Sequence, residues 1–142
     1  MRRKNDKHNY PCAHVALFVR DLNKMDRFYV KRLGFKVAKD YVTDANLIKS
    51  IFGFSSRCRI QFLTLGNFGV ELLYFLDAQL KPYKIKTSGY NHWAIAVKNK
   101  ESFCRKLKRK RVKVIKVPKE EHFVYFIQDP ESNLIEVKEA AS

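Results

Sequence analysis

Four residues of this chain have the types and spacing to hold a metal ion: His14, Glu71, His92 and Glu136. Each sits in a short apolar run with the alternation of a β-strand. Successive strand side chains point to opposite faces. His14 therefore shares a face with Ala16 and Phe18, and His92 shares one with Ala94 and Ala96. Glu71 joins Leu73 and Phe75, and Glu136 joins Leu134 and Lys138. The opposite faces carry Val15, Leu17 and Val19, Trp93, Ile95 and Val97, Val70 and Leu72, and Ile135 and Val137, fit to pack against helices. An ionised carboxylate on a central strand is costly to bury unless it is paired or ligates a metal. Two imidazoles and two carboxylates form an N/O donor set suited to one divalent ion: Ni, Co, Mn, Fe or Zn. Four such ligands in an octahedral shell leave two positions for water or substrate oxygens.

The elements that position these residues form an internal repeat. His14-Val15-Ala16-Leu17-Phe18-Val19-Arg20-Asp21 returns as His92-Trp93-Ala94-Ile95-Ala96-Val97-Lys98-Asn99. Both read His-x-Ala-aliphatic-x-Val-basic-Asp/Asn. A helical pattern follows each copy. The first uses Leu22, Met25, Phe28, Tyr29 and Leu33, with Gly34 as its stop. The second runs from Glu101 to Lys110 with Phe103, Cys104 and Leu107 as its apolar stripe.

Strands are predicted over Phe35–Val42, Arg59–Leu65 and Phe68–Leu76, with a short helix over Ala45–Phe52 and a tight turn at Gly66-Asn67. In the second copy they are predicted over Val112–Val117, Phe123–Gln128 and Leu134–Lys138, with turn chemistry at 129–133. The fold class is α+β. Two βαβββ modules, residues 12–76 and 90–140, should pair into a curved, cup-shaped mixed sheet with helices outside. Residues 77–89 form the linker, and residues 1–11 a polar basic arm.

The chain of 142 residues has the length of one domain or two small modules, and 46% apolar residues suffice for a core. No run reaches the roughly 18 apolar residues of a membrane helix, and no apolar stretch follows the basic start as in a secretory signal. A soluble, cytoplasmic protein with no membrane partner is expected. Cys12, Cys58 and Cys104 are odd in number and widely spaced, so they read as small hydrophobes rather than as a disulfide framework.

The formal net charge is +15, split as +7 over residues 1–77 and +8 over 78–142. That balance favours anionic partners, including an anionic small substrate steered to the site. The run Lys106-Leu107-Lys108-Arg109-Lys110-Arg111-Val112-Lys113, with the arm Arg2-Arg3-Lys4, also admits salt-sensitive contact with nucleic acid. An ordinary solvated helix face is the favoured reading of that run. His8 and His122 have no counterpart in the repeat and are not assigned to the site.

With these motifs the sequence resembles the vicinal oxygen chelate superfamily: glyoxalase I, methylmalonyl-CoA epimerase, fosfomycin and bleomycin resistance proteins and extradiol dioxygenases. The matching stretches run from Cys12 to Ala140. They include residues 14–22, Phe28-Tyr29, Leu33-Gly34-Phe35, Gly69-Val70-Glu71-Leu72, residues 91–97 and residues 125–137. The resemblance implies metal ligands at His14, Glu71, His92 and Glu136, a set similar to that of glyoxalase I. It implies chelation of vicinal substrate oxygens, with a ligand glutamate, Glu136 or Glu71, moving a proton in a lyase or isomerase reaction. It also implies a homodimer, with the halves closing a cup within one chain or swapping between two.

The epimerase's catalytic Glu falls on Gln61, which is no base. The positions that hold glutathione in glyoxalase I carry Phe18 and Phe75, so glutathione is not the expected carrier. Phe18, Gln61, Phe75, Ala94, Ala96 and Tyr125 are the expected substrate-pocket residues. Related alternatives are a bleomycin-resistance-type binder of a drug or metabolite, an extradiol dioxygenase-like enzyme and a fosfomycin-resistance-like enzyme.

Overall fold

A computed structural model describes residues 10–142; the basic arm Arg2-Arg3-Lys4 and His8 lie outside the described residues. Strand β1 is His14–Val19, helix α1 is Leu22–Arg27, and a π-helical turn spans Phe28–Arg32. Strand β2 (Lys36–Thr43), helix α2 (Ala45–Phe52), β3 (Cys58–Leu65) and β4 (Phe68–Phe75) complete the first module. The second contains β5 (His92–Val97), α3 (Lys100–Arg109), β6 (Lys113–Lys119), β7 (His122–Gln128) and β8 (Leu134–Glu139).

The elements fall within two residues of their predicted bounds, apart from the first helix. That helix is predicted as one run from Leu22 towards Leu33. It instead gives way at Phe28 to a wider π turn, where Leu33 N donates to Phe28 O at 3.2 Å. Gly34 then ends it at φ 86°, a left-handed conformation that glycine adopts freely.

The described strands form two four-stranded sheets, ordered β1-β4-β3-β2 and β5-β8-β7-β6. Each is mixed. β1 runs parallel to β4, and β5 parallel to β8, while the remaining neighbours are antiparallel. Parallel neighbours need a long crossover, and here that crossover carries the module's other elements. The fold is thus α+β, as the alternation and the repeat imply. No described helix is long and apolar enough to cross a membrane.

Three side chains cap the helix starts. Asp21 accepts from Lys24 N at 3.1 Å, Asp44 from Leu47 N at 2.9 Å and Asn99 from Ser102 N at 3.0 Å. A cap of this kind is worth about 1 kcal/mol.

One apolar core joins the modules. Val19, Met25, Tyr29, Phe35, Leu63 and Leu72 pack with Cys104, Leu107, Tyr125, Ile127 and Ile135. Trp93 stands between them: it stacks on Tyr29 (6.5 Å, 20°) and meets Phe68 at 5.1 Å and Phe35 at 6.4 Å. Two polar ties cross the same boundary. Glu131 accepts from the backbone N–H groups of Arg20 and Asp21 at 2.8–2.9 Å. The Tyr29 hydroxyl donates to Asp129 at 3.0 Å.

Burial, then the charge of Asp129, pushes the Tyr29 hydroxyl well above its ordinary range, so it remains a donor. Burial pushes Asp129 up as well, opposed by donors from Asn133, Tyr29 and Glu131. Removing the hydroxyl leaves a buried carboxyl one donor short. Tyr29→Phe should therefore lower stability by about 1–3 kcal/mol, read from denaturant unfolding. An unchanged midpoint would mean the tie contributes nothing.

Candidate metal centre

The structure brings the four residues together in two pairs. His14 Nε2 lies 3.7 Å from Glu71 Oε2, and His92 Nε2 lies 3.5 Å from Glu136 Oε2. The parallel ladders produce both. β1 and β4 align Ala16 with Glu71, and β5 and β8 align Ala94 with Glu136. In each case the histidine stands two residues earlier on the edge strand and on the same face as the glutamate. An alanine opposite the carboxylate leaves room for the imidazole to lean across. The carboxylates remain partly open to solvent, with side-chain exposures of 21% and 24%.

A phenylalanine completes each pair, and sequence reasoning missed both. Phe62 is the cross-strand partner of Glu71, and Phe126 that of Glu136. The Phe62 ring stands edge-on to His14 at 5.7 Å and 89°, and Phe126 to His92 at 5.1 Å and 78°. The sequence does carry a signal, since Gln61-Phe62 and Tyr125-Phe126 occupy matching places in the repeat.

Reading each dipeptide one residue out of register misassigns its neighbour. Gln61 pairs with Leu72 and Tyr125 with Val137, so both face the helix side of the sheet, opposite the glutamates. This corrects their expected place in the substrate pocket. Strand alternation is the reason. Gln61 donates to Asp40 at 3.1 Å, and the hydrogen-bonded Arg59 guanidinium holds Asp40 down to about 2. Tyr125 is buried in the shared core.

The other expected pocket residues keep the predicted face. Phe18 and Phe75 meet at 4.8 Å, edge to face. Phe52, at the end of α2, lies 4.9 Å from Phe18, and Phe54 lies 4.9 Å from Phe75. This aromatic cluster stands on the His14–Glu71 side of the first sheet. Cys58 shares that face. Burial, then the nearby Glu71 charge, pushes its thiol up to about 11, so at neutral pH it is a protonated apolar group. The second module has no helix in the place of α2. A cleft of about 380 Å3 that touches Ala94 and Ala96 is lined mainly from the opposite, helix-packing side, by Phe35, Ile95, Val97 and Phe103, so it is not a pocket on the His92–Glu136 face.

His14 and His92 also line one cleft of about 460 Å3, with Cys12, Tyr83, Tyr90 and Asn91. Asn91 Oδ1 sits 2.7 Å from His92 Nδ1. Accepting a proton there leaves Nε2, the atom nearer Glu136, free as a metal-binding lone pair. Neither glutamate lines that cleft. Among the described residues of one chain, no three His, Cys, Asp or Glu side chains gather closely enough to share an ion. Each pair on its own offers two donor atoms. Its imidazole nitrogen beside a carboxylate oxygen fits a borderline divalent metal.

The comparisons agree with this architecture. The model of the glyoxalase/bleomycin resistance protein/dioxygenase superfamily matches residues 12–137, and the chain belongs to that superfamily. The trypanothione-dependent glyoxalase I of Leishmania major is 24% identical, with a TM-score of 0.68 over 92% of this chain and 87% of that one. Glyoxalase I of Zea mays is 25% identical, with a TM-score of 0.67 over 92% of this chain and 44% of that one. A glyoxalase family protein of Bacillus cereus is 15% identical, with a TM-score of 0.74 over 97% and 99%. No curated protein matches the chain by sequence.

Gly69 is the ladder partner of His14, and the space above it is taken. A Cβ there would stand 2.6 Å from Phe62 Cζ and 3.1 Å from His14 Cβ. Gly69→Ala should cost about 1–3 kcal/mol by overpacking, measured by denaturant unfolding. Wild-type stability would mean that Phe62 moves aside freely.

Proposed function

We propose that the protein is a divalent-metal-dependent enzyme of lyase or isomerase type whose site is completed by a second copy of the chain. The observation that supports this reading most directly is the duplicated His–Glu–Phe arrangement. His14 and Glu71 of one copy would face His92 and Glu136 of the other, giving two sites per homodimer. An isologous pairing generates both sites by one symmetry operation. The metal would be Ni, Co, Mn, Fe or Zn, and it supplies a Lewis acid that acidifies the C–H beside two chelating substrate oxygens.

The chain's own residues do the rest. A glutamate of the set, Glu136 or Glu71, takes the proton from one carbon and returns it to the neighbouring carbon. The proton and the electron pair both stay within the substrate, so no redox partner is needed. The Phe62 and Phe126 rings hold the imidazoles in place and exclude water from their edges. Phe18, Phe52, Phe54 and Phe75 offer an apolar surface beside the first pair, which suits a substrate with a greasy body. Phe18 and Phe75 carry no hydrogen-bonding group for a glutathione-like tripeptide, so a different carrier fits better.

Metal content tests the ligand set. The purified protein should hold about one divalent ion per chain, and His14→Ala or Glu136→Gln should lose it. Chain mixing tests the sharing. His14→Ala and His92→Ala chains are each inactive alone, but a mixed dimer holds one intact site. After unfolding and refolding an equal mixture, about a quarter of wild-type metal uptake should return under random pairing. Uptake by the wild type with no recovery on mixing would place each site within one chain. No specific uptake by the wild type would remove the enzyme reading and leave a binder of a drug or metabolite.

A further inference from the structure

On the helix side of the molecule the two modules form a second cleft, of about 490 Å3. That lies within the roughly 300–1,000 Å3 range of small-molecule sites. Lys24 and Arg27 of α1 and Arg32 of the π turn line one wall. Lys110, Arg111 and Lys113, between the end of α3 and the start of β6, line the other. Phe28 and Val112 contribute apolar surface between them. None of the six cations belongs to an ion pair among the described residues. The acid at the cleft, Asp129, is occupied: it accepts from Tyr29, from Asn133 and from the Glu131 backbone N–H.

We propose that this cleft binds the phosphate chain of a small polyphosphorylated molecule, such as a nucleoside triphosphate. Six cations around a single acid repel one another, and an anion reaching both walls relieves that repulsion. Capping of α3 accounts for cations at its C-terminus, but not for Lys24, Arg27 and Arg32, which come from the other module. The backbone carries a second sign. Arg111 is held at φ 65°, directly after the helix, where glycine is the residue with least strain. The chain keeps a guanidinium at that position and places it on the cleft. Arginine and lysine are the usual partners of phosphate oxygens. The run Lys106–Lys113 thus divides. Lys106, Lys108 and Arg109 are exposed in the last turn of α3, and Lys110, Arg111 and Lys113 line the cleft.

The test is calorimetric titration of the metal-stripped full chain with inorganic tripolyphosphate and with ATP at physiological salt. Saturable binding of one anion per chain is expected. Arg27→Glu on one wall and Lys113→Glu on the other should each weaken it about tenfold or more. Lys36→Glu on β2, which changes net charge equally away from the cleft, should weaken it less than about twofold. His14→Ala should leave it unchanged, which separates this cleft from the metal centre. Absence of saturable binding, or equal losses in Lys36→Glu and Lys113→Glu, would overturn the proposal. A single-stranded oligonucleotide that binds more tightly than tripolyphosphate, and loses affinity in the same two variants, would overturn the small-molecule assignment in favour of nucleic acid.

Discussion

The parallel pairing of β1 with β4, repeated between β5 and β8, is the constraint on which the site depends. An antiparallel pair closes through a tight hairpin. A parallel pair requires the chain to travel away and return, and here it returns with the module's remaining strands. That path places a residue near the start of the module against one near its end. Fifty-seven positions of sequence separate His14 from Glu71, yet the ladder sets them 3.7 Å apart. The same register with the same two-residue lag sets His92 beside Glu136. Any slip by one residue would turn every side chain of the strand to the other face and dissolve the pair.

Side-chain size makes that register usable. Alanine opposite each glutamate lets the imidazole cross the ladder. Gly69 opposite His14 admits the Phe62 ring, whereas Leu134 stands opposite His92. The modules are therefore alike in their His–Glu pairs and unlike in their surroundings. The first carries α2 and a cluster of four phenylalanines. The second has no helix in that place, and its edge strand carries Ala94 and Ala96 where the first carries Ala16 and Phe18.

Much of this was legible in the sequence because it rests on period. The repeat of His-x-Ala-aliphatic-x-Val marked two strands, and alternation showed which side His14, Ala16 and Phe18 share; that both strands lie at sheet edges came only with the observed order. Glu71 and Glu136 followed from the same rule. Gln61 and Tyr125 did not, because pairing partners decide which face meets the glutamates. Without the β3–β4 and β7–β8 registers, the choice between Gln61 and Phe62, or Tyr125 and Phe126, had no anchor. The π turn at Phe28 was equally hidden, since its apolar spacing reads as an ordinary helix. The basic cleft was visible as charge but not as a shape, because its walls come from residues about eighty positions apart.

The central claim is that two imidazoles and two carboxylates share one ion. X-ray absorption of the protein loaded with Ni or Co reads that shell directly. The account predicts two imidazole nitrogens among about six N/O neighbours at roughly 2.0–2.2 Å and no sulfur. A shell with a single imidazole, or with sulfur at about 2.3 Å, would contradict it and place the metal elsewhere.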